Sequence, residues 1–276
     1  MIDIQTFYNE HPINEFEILS KVEARGKSLD ALSPSDLYPY DQDHYGGLAA
    51  NDALATALSI SSHSHVLDLC SGMGGPARYL AAKYGCRVHG VELNSSRIVG
   101  ARKLTELVGL ATQVTFSQGN ASDLALDLEG FDVAISQEAF LHIPQKEALL
   151  AGIFRVLAPS GRLGFTDWTA SPTLTATHRT RFVETFAAQR ILGQKEYCDI
   201  LDAAGFKEIE VIDLSANWRV LLHERLEMFR SLEAETVARF GQERHNTYIR
   251  NYEFFVACID GGDLGGSRFV AHINSS

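Results

Sequence analysis

The apolar positions of this chain change rhythm near residue 65. Before that point, residues 14–25 and 48–58 carry apolar side chains three or four apart, the spacing of amphipathic helices. Between them LSPSDLYPYDQDHYGGL is rich in Pro, Asp and Gly and reads as a loop. From residue 65 onward, short apolar runs alternate with helical stretches. HVLDLC (65–70), CRVHGVEL (86–93), QVTFSQ (113–118), FDVAISQ (131–137) and RLGFTDW (162–168) read as strands. Residues 76–84, 95–109 and 145–157 read as helices. Pro76 suits a first helical turn, and Asn94 and Ser95 are cap candidates. Pro159, Ser160 and Gly161 predict a turn into the fifth strand. A mostly helical region (173–205), a sixth strand (207–214), two amphipathic helices within 219–258 and a turn plus last strand (261–273) complete the pattern.

Strands alternating with helices predict right-handed crossovers and a parallel sheet covered on both faces. The expected class is α/β, with seven strands, mostly parallel. A helical lid around 215–260 is inserted before the last strand.

Composition narrows the partners. The 276 residues hold 24 Lys+Arg against 35 Asp+Glu, a formal net charge of -11, and 45% hydrophobic residues. That is a globular composition, long enough to bury a full core without metals or disulfides. The acidic balance argues against nucleic acid and anionic membrane surfaces as partners, because both are bound mainly through basic residues. The first residues lack the basic flank and apolar core of a secretory signal, and no apolar run nears ~20 residues, so a cytoplasmic location is expected. Cys70, Cys86, Cys198 and Cys258 are scattered, without a CxxC pair or a His at zinc spacing. They read as four reduced thiols, with no metal site.

The strongest local signal is VLDLCSGMGGPARYL (66–80). A strand ends near Asp68, a loop holds Gly72, Gly74 and Gly75, and a helix opens at Pro76. Glycines let the backbone turn sharply and let a ligand touch main-chain atoms. Glu92, twenty-four residues after Asp68, closes the next strand, where an acidic side chain takes both hydroxyls of a ribose. The unit therefore reads as a nucleoside site. The loop formally satisfies G-x-G-x-x-G/A, a dinucleotide pattern, but Asp68 would repel a pyrophosphate. A carboxylate there suits a cationic ligand such as S-adenosylmethionine, which carries a sulfonium, an ammonium and no phosphate.

VLDLCSGMGGPARYL resembles the first motif of class I S-adenosylmethionine-dependent methyltransferases, usually D-x-G-x-G-x-G. Cys70 stands where the first Gly is common. The likeness covers about residues 41–170. VHGVELN (88–94) is similar to the second motif, FSQGNASDL (116–124) to the segment before the fourth strand, and FDVAISQEAFLHIP and LAPSGRLGFTDW to the fourth and fifth strands. DQDHYGGLAANDAL (41–54), SQEAFLHIP and GGDLGGSRFVA resemble the small-molecule branch that includes sarcosine/dimethylglycine N-methyltransferases and tocopherol or sterol methyltransferases. The resemblance implies a Rossmann-like domain over 61–276 and, over 1–60, a helical cap with a cofactor-covering loop.

It also implies roles. Asp68, Ser71, Gly72, Gly74, Glu92, Leu93, Asn120, Ala121, Gln137 and His44 are the expected cofactor contacts, with Glu92 on the ribose and Asn120 and Ala121 at the adenine. His142, Gln137 and Tyr45 are the expected catalytic residues. His142 is either a general base or an orienter of the substrate, and its plainer reading is a capping or packing histidine. Glu138, Asp167, Trp168, Trp218, Arg219 and His223 are further candidates near the acceptor. The expected reaction is in-line methyl transfer to a small-molecule acceptor, most readily an amine nitrogen. Transfer to O, S or C, and a nicotinamide-dependent oxidoreductase built on the same loop, are the alternatives. A homodimer is among the arrangements the sequence leaves open.

Overall fold

The computed structural model describes residues 4–9, 13–124 and 128–274. Residues 1–3 and 10–12, part of the expected N-terminal cap, lie outside the described residues. The N-terminal part is helical: α1 (Ile4–Asn9), α2 (Glu15–Ala24), the short α3 (Pro34–Leu37) and α4 (Gly47–Ala57). Then follow β1 (His65–Leu69), α5 (Gly75–Tyr84), β2 (Arg87–Glu92), α6 (Ser95–Leu107), β3 (Val114–Gln118), β4 (Phe131–Gln137), α7 (Lys146–Val156) and β5 (Leu157–Ala170). The chain closes with α8 (Ala176–Phe186), α9 (Gln194–Ala204), β6 (Lys207–Asp213), α10 (Ser215–Ser231), α11 (Glu233–Phe240), α12 (Gln242–Asp260) and β7 (Leu264–His272).

The seven strands form one sheet in the order β3-β2-β1-β4-β5-β7-β6. β7 is antiparallel to both β5 and β6, and the other pairings are parallel. The expected α/β class and mostly parallel sheet are thus present. Strand order reverses between β1 and β4, and the carboxyl ends of strands at such a reversal form a crevice. The apolar runs alternate faces as a pleat requires. Val66 of β1 packs in the cluster that holds Ile18, Leu54 and Tyr79, while Leu67 and Leu69 pack with Phe165 and Tyr197 on the other face. A third cluster, around Trp168, Trp218 and Phe255, lies among α8, α10, α12 and the end of β5.

Three sequence expectations change. The loop before α4 holds a helical turn at Pro34–Leu37, opened by Ser33 and closed back on it by Asp36. The turn at Pro159–Gly161 is a break within β5 rather than a boundary. Phe131 pairs with Leu157 and Val133 with Arg162, so the extra residues loop out, and Ser160 takes φ +64°. The lid is three helices, not two. Gly241 at φ +85° ends α11, because a left-handed backbone cannot continue a right-handed helix.

A buried ion pair joins the N-terminal segment to the sheet domain. Arg78 on α5 is fully buried and donates to Asp41 (2.9 Å), which is 1% exposed. The Asp41 carbonyl presses on Gly75, where a Cβ would come within 1.9 Å of it. Removing one member of a buried pair leaves an uncompensated charge and costs about 3–5 kcal/mol. Asp41→Ala should lower the unfolding free energy by about that amount, read from urea denaturation at neutral pH.

Candidate active site

The carboxyl ends of β1, β2 and β4 open into a cavity of about 120 Å³. Its lining includes Asp68, Ser71, Gly72, Glu92, Leu93, Asn120, Ala121, Gln137, His44 and His142, so ten of the twelve expected site residues converge there. Tyr45 and Gly74 are not among the lining residues. Gly74 sits at φ +75° at the start of α5, its Cα beside Phe116 and Arg78, and shapes the loop from behind. The Tyr45 ring packs edge-on to Trp218 (4.9 Å between centroids), with the Arg225 guanidinium 4.6 Å from its centre.

The loop after β1 is held by one carboxylate. Glu92 accepts from the backbone amides of Gly72 and Asn94, both at 2.9 Å. Cys70 adopts φ +59° and Gly72 φ +55°. The position where Gly is common therefore does need a left-handed backbone, and Cys70 meets that need at a steric cost. Asp68 is buried, and its Oδ2 has no hydrogen-bond partner among the described residues; the same holds for Ser71 Oγ. Burial, helped by the neighbouring Glu92 charge, lifts the Asp68 carboxyl to about 8. Both are buried polar atoms without a partner among the described residues, in a cavity where a cationic ligand with hydrogen-bond donors would satisfy them.

On the β4 side, Gln137 Nε2 lies 3.1 Å from His44 Nδ1, which also lies 3.2 Å from the Tyr45 carbonyl, and His44 Nε2 lies 3.0 Å from Gln42 Oε1. Gln42 in turn donates to Asp41 (2.6 Å). Burial pulls His44 down to about 4, so it is a neutral link in this chain. Glu138 accepts from the Tyr45 amide (2.6 Å) and the Thr166 hydroxyl (2.5 Å). Burial raises it to about 8.

Tyr8 is the site residue that sequence reasoning missed. Its hydroxyl lies 2.9 Å from His142 Nε2, and its ring meets the imidazole edge-on at 5.5 Å. His142 Nδ1 lies 3.1 Å from the Ala187 carbonyl, which only accepts. Nδ1 therefore carries the proton, Nε2 is the acceptor, and Tyr8 donates. Arg97, stacked 4.8 Å over the Tyr8 ring and paired with Asp43 (2.9 Å), holds α1 against the cavity. No motif in the sequence marks Tyr8; the signal was an aromatic residue in a short apolar stretch before the first recognised helix.

Lys146 supports His142 from behind. Fully buried, it donates to the carbonyls of Phe140 (2.5 Å), Ile143 (2.6 Å) and Arg190 (3.0 Å). Those carbonyls bracket the turn Phe140–His142 and the segment after α8. Burial lowers its ammonium to about 8, opposed by the Asp167 charge. The remaining candidates lie apart from the cavity lining. Asp167 is buried against Tyr197 (2.5 Å), Trp168 stacks on Phe255 (4.2 Å), and Arg219 and His223 both pair with Asp260 on the surface.

Comparison with known proteins follows the same division. Residues 66–161, from β1 into β5, match the model of a methyltransferase domain. A phosphoethanolamine N-methyltransferase of Plasmodium falciparum is 31% identical over 202 residues, 69% of this chain and 74% of that protein. The chain belongs to the S-adenosylmethionine-dependent methyltransferases. A glycine/sarcosine/dimethylglycine N-methyltransferase of Actinopolyspora halophila is 31% identical over 214 residues, covering 76% of this chain but 37% of that longer protein. Phosphoethanolamine N-methyltransferase 2 of Haemonchus contortus, solved with S-adenosyl-L-methionine, superposes with a TM-score of 0.77 at 21% identity, over 100% of this chain and 61% of that one. Among the described residues of this methyltransferase no helix is long and apolar enough to cross a membrane.

The Lys146 geometry generates a prediction. Lys146→Met keeps the length and removes three charge-assisted bonds to the Phe140, Ile143 and Arg190 carbonyls, of which the Phe140 carbonyl still accepts from the Ile143 amide. The expected loss is about 3 kcal/mol or more of unfolding free energy, read by denaturant titration.

Proposed function

We propose that this methyltransferase acts on a small amine that also carries an anionic group, one methyl per turnover. The observation that carries this reading is the hydrogen bond from Tyr8 to His142 within the cavity that holds the bare Asp68 carboxylate.

The cavity chemistry fits S-adenosylmethionine. Asp68 and Ser71 offer unsatisfied acceptors for its ammonium end, and Glu92 stands at the end of β2 for the ribose. Asn120 and Ala121 line the part of the cavity beyond Gly119, where an adenine would sit. Asp68 beside Glu92 opposes a pyrophosphate, which disfavours the nicotinamide alternative. When bound, S-adenosylmethionine supplies a methyl group on a cationic sulfur, and the acceptor lone pair forms the new bond as the carbon–sulfur bond breaks.

The chain's own residues do the rest. A small amine is protonated near neutral pH and has no lone pair to offer. Tyr8 and His142 form a relay for that proton: the ammonium gives a proton to the Tyr8 oxygen while the Tyr8 proton moves to His142 Nε2. The Ala187 carbonyl holds the imidazolium through Nδ1–H. Glu138, which lines the same cavity, is held protonated up to about pH 8 by burial and takes a cationic acceptor only as it gives up that proton. Gln137 and His44 form a fixed wall between the two ends. Holding the reactants aligned and dry supplies most of the acceleration, about 7–11 kcal/mol in well-oriented systems.

Arg225, which lies behind the lining residue His44 and outside the cavity lining itself, is the cation we assign to an anionic group on the acceptor. It is half-buried, donates to the His44 carbonyl (2.7 Å) and lies over Tyr45, with no carboxylate in ion-pair distance among the described residues. The relatives named for phosphoethanolamine and for glycine, sarcosine and dimethylglycine act on amines bearing a phosphate or a carboxylate, which is the same pairing of charges.

Two measurements follow. Below about pH 8 the free Asp68 carboxyl is protonated, and a cation binds its ionised form, so binding releases a proton. S-adenosylmethionine affinity should rise from pH 6 to pH 8 by up to about tenfold per unit, and Asp68→Asn should flatten that slope in calorimetry. Tyr8→Phe should keep cofactor affinity and lower kcat by about 100-fold or more, with the loss easing at high pH, where the amine is already neutral. An unchanged kcat in Tyr8→Phe would remove the relay from the account.

A further inference from the structure

Away from the cavity, three side chains of metal-ligand type meet where the lid joins the sheet. His178 lies on α8, Cys258 near the end of α12, and Asp263 in the turn that leads into β7. One atom of each lies within 4.8 Å of the other two. His178 Nδ1 is 3.9 Å from Cys258 Sγ and 3.5 Å from an Asp263 carboxylate oxygen. The edges of a tetrahedron around zinc, with nitrogen at about 2.0 Å and sulfur at about 2.3 Å, are about 3.3–3.7 Å. The cluster is thus within small side-chain movements of a coordination shell.

Its surroundings are organised as well. The Asp263 amide donates to the Cys258 carbonyl (3.0 Å), which fixes the turn between two of the groups. The other Asp263 oxygen accepts from the Thr173 hydroxyl (2.7 Å), which aims the carboxylate. The His178 ring rests edge-on against Phe254 (5.4 Å), one helical turn before Cys258. Cys258 is buried, while His178 and Asp263 are partly exposed, which leaves an entry path and a position for water. None of the three lines the cofactor cavity.

We propose that His178, Cys258 and Asp263 form a binding site for a thiophilic divalent cation, zinc in the first place, completed by water. The mixed nitrogen, sulfur and oxygen donors favour zinc or cobalt over magnesium or calcium, which take oxygen ligands. Binding replaces the thiol proton: the S–H bond breaks, the proton leaves to solvent, and the thiolate sulfur bonds the metal. The Arg181 guanidinium lies over the Phe254 ring, which packs against His178. The metal ties α8, α12 and the start of β7 together beneath the lid. The sequence hid this site because His178 and Cys258 are 80 residues apart.

The test is titration of the metal-free enzyme with cobalt(II), which reports thiolate ligation through a sulfur-to-cobalt charge-transfer band and tetrahedral geometry through intense visible bands. The expected result is one equivalent showing both features, displaced by zinc. Cys258→Ser should abolish the charge-transfer band, and His178→Ala should weaken binding at least tenfold, while both keep methyl transfer. A band that survives Cys258→Ser, or cobalt bound with no charge-transfer band in the folded wild type, overturns the proposal. Circular dichroism of the variants separates loss of the site from loss of the fold.

Discussion

The site depends on two carboxylates held at neighbouring strand ends away from water. Asp68 and Glu92 sit at the carboxyl ends of β1 and β2, and each is less than one-tenth exposed. Glu92 meets this constraint with the amides of Gly72 and Asn94, and in doing so it sets the loop over the cavity. Asp68 has a bare oxygen. A buried anion beside another anion is unfavourable, so Asp68 holds a proton up to about pH 8, and a cationic ligand can take that proton's place. The positive φ values at Cys70, Gly72 and Gly74 and the close approach of Asp41 to Gly75 are the backbone's means of placing that carboxyl in a crevice.

The N-terminal helices and the lid enclose what the sheet exposes. Arg97 holds Tyr8 by stacking and Asp43 by charge, and Arg225 reaches from α10 to the His44 carbonyl. Arg239 on α11 pairs with Glu17 on α2, linking lid to cap. Three parts of the chain meet around the cavity: α1 brings Tyr8 and the segment after β4 brings Glu138 and His142 to its lining, while Arg225 of α10 reaches the lining residue His44 from behind. Lys146 stiffens the middle part through three carbonyls.

What was legible in the sequence was local. The strand–loop–helix unit around Asp68 and Gly72, the acid at Glu92 and the segment from Gln137 to His142 each lie within one short stretch, so pattern alone exposed them. Tyr8 was not legible, because it acts on a residue 134 positions away and no spacing rule links them. Lys146 carries no signal in the sequence; only the fold brings three carbonyls together on it. The number of lid helices failed for a simpler reason: the break at Gly241 lies inside one continuous amphipathic pattern. Tyr45 was expected beside the reacting atoms, and the structure puts its ring among Trp218, Phe255 and Arg225 instead.

The most direct test of the central claim is product analysis with a labelled methyl donor. The enzyme would be incubated with methyl-labelled S-adenosylmethionine and a panel of small amines bearing a phosphate, a carboxylate or neither, alongside phenols and thiols. Mass spectrometry would then locate the label. Label is expected on nitrogen, with faster turnover for amines that carry an anionic group. Label on oxygen or sulfur with no amine product would contradict amine methylation.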